Sequence, residues 1–337
     1  MWPGADGEHF KFPSVVQYLK DGSKRFGFMV RGAPDSTTRA HFKIPLMAVG
    51  DDSGPKHKDL KDFANRSGSD LSWEDARCVL VDHFKFLHDH IQNQLKDHFS
   101  EEIIRDARIE YIITHPVLMS DAAKEMMKDI IGEAGFQISD VSLLDEALAA
   151  SCALRPPLDS MGRVAFILAD AGGCTIDVTT YTHLLEPVCP SDGSACGISL
   201  VDLEFRDMIR EELPWLKDEP DIERDIMSEF GKAKAIFEGT EKAVSIYFRP
   251  PSDVEKTKHF DPNAKTICLK RAEMIKFFKS TEESLRNLVG KQHEEAMKLG
   301  YTVSRLVFTG GASANPYLKR KWNQFLPGVQ KTWSVNA

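Results

Sequence analysis

Few features in this chain point to a function at first sight. Its six cysteines, Cys78, Cys152, Cys174, Cys189, Cys196 and Cys268, form no C-x-x-C pair. They match no zinc-ligand spacing, and scattered thiols in a chain of 337 residues fit a reducing compartment. No apolar run approaches the length of a membrane span. The opening "MWPGADGEHFKF" lacks the basic flank and apolar core of a secretory signal. Cytoplasmic residence, away from any membrane, is therefore the expectation. Positive charge is scarce too: 43 Lys and Arg against 51 Asp and Glu leave a formal charge of −8. Without a dense basic stripe, nucleic acid is not an expected partner. Long internal repeats and low-complexity tracts are also missing.

What is present reads as an ordinary globular composition, 42% hydrophobic and 28% charged, long enough for about two domains. "KFPSVVQYLKDGSKRFGFMV" predicts two short strands, 15–19 and 26–30, around an Asp-Gly turn. Residues 50–70, rich in Gly, Pro, Ser and charge, read as a surface loop. A long helix follows, capped by Ser72, with Leu80, Phe84, Leu87, Ile91, Leu95 and Phe99 on one apolar stripe. Its histidines, His83, His88, His90 and His98, never stand four apart and read as packing or solvated groups.

The middle of the chain alternates strand and helix. "IEYIIT" predicts a buried strand, Ser120 caps the next helix and Gly135 ends it. "VSLL" leads to a short helix around 146–154, with a breaker at Pro156-Pro157. Later helices end at Gly239 and Gly300, and one begins at an Asn315 cap with Pro316 in its first position. This alternation predicts an α/β fold with a mixed sheet. Trp322 and Phe325 read as core.

Two apolar strands each run into a glycine pair. "RVAFILADAGGCTIDVTTY" places Gly172-Gly173 between Asp170 and Thr175, with Asp177 on the return strand. "SRLVFTGGASANPYL" places Gly310-Gly311 after a second strand. Such turns expose backbone N–H groups to which a phosphate can draw close, and carboxylates at a strand end can hold a hydrated cation. Either pair can also be no more than a sharp turn.

The succession "THPVLMSDAAKEMMKDIIGEAGF", "LLDEALAAS", "LADAGGCTIDVTTY", "CGISLVDLEF", "GKAKAIFEG" and "VSRLVFTGGASANPYL" resembles the nucleotide-binding domain of heat shock protein 70 chaperones, in the actin-like ATPase superfamily. The resemblance lies nearest the divergent branch that lacks the usual peptide-binding domain. It implies two lobes around a cleft. Residues 1–157 would be a first lobe without its N-terminal strands. Residues 158–337 would be a second lobe bearing the phosphate hairpin and adenosine motif.

By the same resemblance the cofactors are ATP or ADP with Mg²⁺. Asp170 would act near the metal and the attacking water, and Glu146 would orient water. Gly172, Gly173, Thr175 and Asp177 match the phosphate hairpin, with Cys174 in place of its third glycine. Gly197 would lie near the ribose and phosphates, while Lys234, Gly310 and Gly311 match the adenosine side. Gly231 stands where the family has a glutamate, and Ala314 where it often has an arginine. The other phosphate hairpin, D-x-G-T-T before the "WPG" region, has no match. Lys43 is the nearest candidate for the first lobe's catalytic lysine. Weak or absent hydrolysis is expected, with client or co-chaperone proteins as possible partners. A chain short at both ends, a non-catalytic interaction protein and a small-molecule kinase are the alternatives left open.

Overall fold

The computed structural model describes residues 2–7, 12–30, 37–49, 55–67, 71–154 and 163–334. The protein is mixed α/β, with several separate sheets. It divides into two units: unit 1 is Met1–His115 with Met119–Leu144, and unit 2 is Pro116–Leu118 with Asp145–Ala337. The Pro156-Pro157 breaker, and with it the expected boundary at 157, lies outside the described residues.

Unit 1 opens with strands β1 (Val15–Tyr18), β2 (Lys24–Phe26) and β3 (Thr38–Ala40), in the antiparallel order β2-β1-β3. The Asp-Gly turn forms as predicted, with Gly22 at φ +83° and Asp21 accepting from the Ser23 N–H at 2.9 Å. The second strand is not at 26–30 but at Lys24–Phe26, because Gly27–Met29 coil into a 3₁₀ turn. Helices α1 (Lys43–Met47), α2 (Pro55–Ser67), α3 (Trp73–His98) and α4 (Glu101–Asp106) follow. Strand β4 (Tyr111–His115), helix α5 (Asp121–Glu133) and strand β5 (Val141–Asp145) complete the unit's order, and β4 pairs with β5.

Several readings change here. Strand β4, expected to be buried, is fully buried only at His115, and its Ile112 is 67% exposed. Much of the expected loop at 50–70 is the helix α2. Its Leu60 and Phe63 stand three apart and are both buried, an apolar face hidden in the sequence by the charged residues around it. The α3 stripe, by contrast, is buried only over its first turns, at Ala76, Val79, Leu80 and His83, while Phe99 is exposed. The Ser72 cap holds, accepting from the Asp75 N–H at 3.0 Å. His83 packs among the rings of Phe12, Phe42 and Phe84, and burial pushes its pKa down to about 4. It is a neutral packing group, as expected from its spacing.

Unit 2 begins with α6 (Glu146–Leu154), then β6 (Val164–Ala171), β7 (Ile176–Thr182) and β8 (Asp192–Ser194). Next come α7 (Ser199–Glu212), α8 (Pro220–Ile236), β9 (Ala243–Tyr247), β10 (Phe260–Asp261), β11 (Thr266–Lys270) and α9 (Arg271–Lys298). The chain closes with β12 (Thr302–Thr309), α10 (Pro316–Trp322) and β13 (Gln330–Trp333). The main sheet has the order β13-β12-β6-β7-β8, parallel from β13 to β6 and antiparallel from β6 to β8. A smaller antiparallel sheet has the order β10-β11-β9.

Alternation along the strands sorts the main sheet's two faces. Ile167, Ala169, Leu306 and Phe308 join the large core with Phe205, Phe230, Phe278 and Trp322 from the later helices. Phe166, Leu168, Val307 and Tyr181 pack against Ala147 of α6 instead. The Asn315 cap accepts from the Leu318 N–H at 3.1 Å, and Trp322 and Phe325 are core, as expected. The tail past the second glycine pair supplies an edge strand, whose Trp333 ring stacks on Phe308 at 4.1 Å between centroids.

One ionic knot ties the smaller sheet to two helix ends. His259 Nδ1 meets Glu212 at the end of α7, and Nε2 meets Glu273 in the first turn of α9 at 3.0 Å. Glu212 also accepts from the His259 N–H at 2.6 Å and from Thr257, and Lys258 reaches Glu273 at 2.9 Å. Burial alone would lower the His259 pKa, but hydrogen bonds and charge from both glutamates raise it above the ordinary value. The stabilisation is full below the ordinary histidine value of about 6.5 and is lost as pH rises through the raised one. His259→Gln should cost about 2 kcal/mol at pH 6 and far less at pH 9. Urea unfolding at both pH values checks this, and an equal cost at both would refute the charged knot.

Candidate functional site

The C-terminal ends of the adjacent parallel strands β6 and β12 both meet a glycine pair. Register aligns a polar row across four strands: Thr309 of β12 opposite Asp170 of β6, Asp170 opposite Asp177 of β7, and Asp177 opposite Gly193 of β8. Directly opposed side chains share one face, with Cβ atoms about 5 Å apart. Counting two residues on from Leu168 and from Val307 puts Asp170 and Thr309 on the α6 face. Asp145 caps α6, its Oδ1 accepting from the N–H groups of Ala147 at 2.8 Å and Leu148 at 3.3 Å. Glu146 sits in the first turn.

Asp177 is the unusual member of the row. It is 1% exposed, and its Oδ1 has no hydrogen-bond partner. Burial drives its pKa well above the usual aspartate value, and the charges of Glu146, Asp170 and Asp145 push the same way. A hydrogen bond from Thr175 only partly opposes them. Burial and the three neighbouring carboxylates thus favour the protonated form of Asp177. Thr309 Oγ1 is likewise buried without a partner.

The hairpin tip is fastened from behind. The Gly172 N–H closes the turn on Thr175 O at 2.8 Å. The loop entering α7 donates three N–H groups to the tip: Gly197 to Cys174 O at 3.0 Å, Ile198 to Gly172 O at 3.1 Å and Ser199 to Gly173 O at 2.8 Å. Two loop amides and the first amide of α7 are thus committed to the hairpin's carbonyls. No backbone carbonyl among the described residues takes the Gly173 N–H.

The glycines are required for reasons other than those the sequence suggests. Neither Gly172 nor Gly173 has positive φ, so the turn itself does not demand them. A Cβ on Gly197 would collide with Gly173 O and come within 2.7 Å of the Cys174 carbonyl carbon. Gly310 does have positive φ, +82°, and a Cβ there would run into Ala171 O and Asp170 Oδ1. Gly311 faces open space. Gly193 makes room for Asp177, whose Oδ1 would lie 2.8 Å from a Cβ.

No known protein family's sequence profile matches this chain, and no curated protein sequence matches it. Asp170, Thr175, Asp177 and the glycines Gly172, Gly173, Gly197, Gly310 and Gly311 all gather at this end of the sheet. Glu146 joins them electrostatically through Asp177. Lys234 is engaged elsewhere in the same unit: its Nζ holds both oxygens of Asp202 in α7, at 2.7 and 2.6 Å. Its carbonyl accepts from Asn315 Nδ2 at 2.8 Å, which links α8 to the turn after Gly311. Lys43 belongs to unit 1, in α1. Among the described residues no three His, Cys, Asp or Glu side chains converge to hold a metal by themselves.

Sequence reading missed Thr309, Gly193 and Asp145. A signal existed for the first two, because once Asp170 and Asp177 are placed opposite each other, strand register names their outer neighbours. The Asp145 cap was visible as an acid directly before a helix start.

Proposed function

We propose that unit 2 binds the phosphates of ATP or ADP together with Mg²⁺, in the manner of a heat-shock-70-like, actin-like ATPase module, and turns over slowly or not at all. The observation that carries this reading is Asp177: a fully buried acid with an unpartnered oxygen, in line with Asp170 beside two glycine turns. An isolated carboxylate is costly to bury, and a structure that retains one beside others has a use for it.

The donor set fits the cation. Mg²⁺ prefers hard oxygen ligands and is held through one or two carboxylates plus the substrate's phosphates. Asp170 is the half-buried carboxylate at the strand end, and Thr175 and Thr309 add hydroxyls. When bound, the cation supplies charge neutralisation between carboxylates and phosphate oxygens. The Gly173 N–H is a tip amide with no backbone acceptor among the described residues. Gly310 brings the backbone of its turn against Asp170, while Gly197 holds the hairpin in place. Glu146, in the first turn of α6, is the water-orienting group.

Weak turnover follows from where the nearby donors are committed. Phosphoryl transfer rests on positioning and on positive groups around the phosphates. Here the lysine of the adenosine side is bound to Asp202, and the amides of Gly197, Ile198 and Ser199 to the hairpin. The runner-up reading is a non-catalytic interaction module, favoured by that same Lys234–Asp202 pairing.

Titration calorimetry with ADP and ATP, with and without Mg²⁺, tests the proposal. Binding should require Mg²⁺, and Asp170→Ala should weaken it at least tenfold, about 1.4 kcal/mol. No heat from a chain with a cooperative unfolding transition sinks the nucleotide reading and leaves the interaction module.

A further inference from the structure

Two of the cysteines lie on the two stretches of chain that are stapled together at the hairpin tip. Cys174 occupies the tip, and Cys196 directly precedes Gly197, whose N–H bonds to Cys174 O at 3.0 Å. One peptide unit on each side of that bond leaves little freedom. Covalent geometry then holds the two α-carbons within about 6 Å of each other. Disulfides span about 4.4–6.8 Å between α-carbons. Both residues are half-buried, Cys196 against the large core, whereas Cys189 on the intervening segment is buried, 6% exposed. The close approach is enforced, since Gly197 has no side chain to keep the segments apart.

We propose that Cys174 and Cys196 are a redox modification site, forming a reversible disulfide across the hairpin tip. The oxidant is a low-molecular-weight disulfide, RSSR. The thiolate of one cysteine attacks a sulfur of RSSR, breaking its S–S bond and expelling RS⁻. The second thiolate attacks the protein sulfur of that mixed disulfide and expels the other RS⁻. Two protein thiols lose two protons and two electrons, and RSSR leaves as two RSH. A small thiol in excess reverses both steps.

The consequence at the site rests on the nucleotide reading. The bridge fixes Cys174, and with it the Gly173 amide, to the loop before α7. The tip then has no freedom to adjust to a phosphate. Oxidation should weaken Mg²⁺-nucleotide binding at least tenfold, and thiol treatment should restore it.

The experiment uses the full chain with oxidised glutathione, followed by alkylation of remaining thiols and digestion by a protease that cuts before aspartate. Cuts at Asp170, Asp177, Asp192 and Asp202 place Cys174, Cys189 and Cys196 on three separate peptides. The expected product is peptide 170–176 linked to peptide 192–201, lost on reduction and absent from both Cys174→Ser and Cys196→Ser. Links through Cys189, or glutathione adducts on Cys174 and Cys196 that never resolve into a link, would overturn the proposal. Calorimetry on oxidised and reduced protein separates the two readings. A link formed in a chain that binds no nucleotide keeps the redox site and removes the nucleotide reading. Nucleotide binding with no link does the reverse.

Discussion

Gly310→Ala is expected to destabilise unit 2 by about 3–5 kcal/mol, while Gly311→Ala, one residue on, should change stability by less than about 0.5 kcal/mol. Gly310 sits at φ 82°, ψ 162°, a region essentially closed to residues with a Cβ. That strain accounts for about 1–3 kcal/mol. The rest comes from overlap, because the new methyl would meet the Ala171 carbonyl carbon at 2.6 Å and press on Asp170 Oδ1 as well. Both are anchored in the centre of the sheet, where β6 is paired on either side. Neither can yield without disturbing the Thr309–Asp170 rung. At Gly311 nothing lies within 4 Å of the position a methyl would take, and the backbone is outside the left-handed region. Equilibrium unfolding in urea, followed by the fluorescence of Trp322 and Trp333, measures both. Similar losses for the two variants would mean that helix entry, not the contact with Asp170, is what requires glycine.

That contrast shows what the sequence could and could not convey. The double glycines were legible as interruptions of apolar strands, and the strands, caps and helix ends around them followed from local rules. Ser72, Ser120 and Asn315 each accept from the amide three residues on, as their sequence context predicts. Which glycine in each pair matters was not legible, because it depends on what lies against it. The resemblance put Gly197 near the ribose and phosphates, but it did not reveal that this is the point where the α7 loop touches the hairpin.

The helix α2 was hidden for a related reason. Two apolar residues, Leu60 and Phe63, are too few to register as a stripe among lysines and aspartates, though burial of both is enough to fix a helix against a core. The reverse error came in α3, where periodicity over the whole helix predicted more burial than unit 1 provides beyond His83. Periodicity reports what a helix can cover, and only packing decides how much is covered. The ionic knot at His259 joins residues 212, 259 and 273, a set no local pattern brings together.

Asp177→Asn is expected to make the protein more stable and less able to bind. In the wild type Asp177 holds a proton in the folded state that the unfolded chain releases above the ordinary aspartate value. Stability therefore falls as pH rises from about 4 toward the raised folded value, at up to about 1.4 kcal/mol per pH unit. Asparagine has nearly the same shape and no charge to acquire, so this slope should vanish and the variant should gain on the wild type as pH rises. Its amide also brings donors to face Glu146, Asp170 and Asp145, the carboxylates whose charge opposes ionisation of Asp177. Unfolding midpoints between pH 5 and 8 give the comparison, and parallel curves would show that Asp177 is ionised and paired after all. The same substitution removes a carboxylate that a divalent cation can turn into its charged form. Mg²⁺-dependent nucleotide binding should weaken at least tenfold in the more stable variant. Gain of stability with loss of binding is the mark of a group kept for function at the expense of the fold.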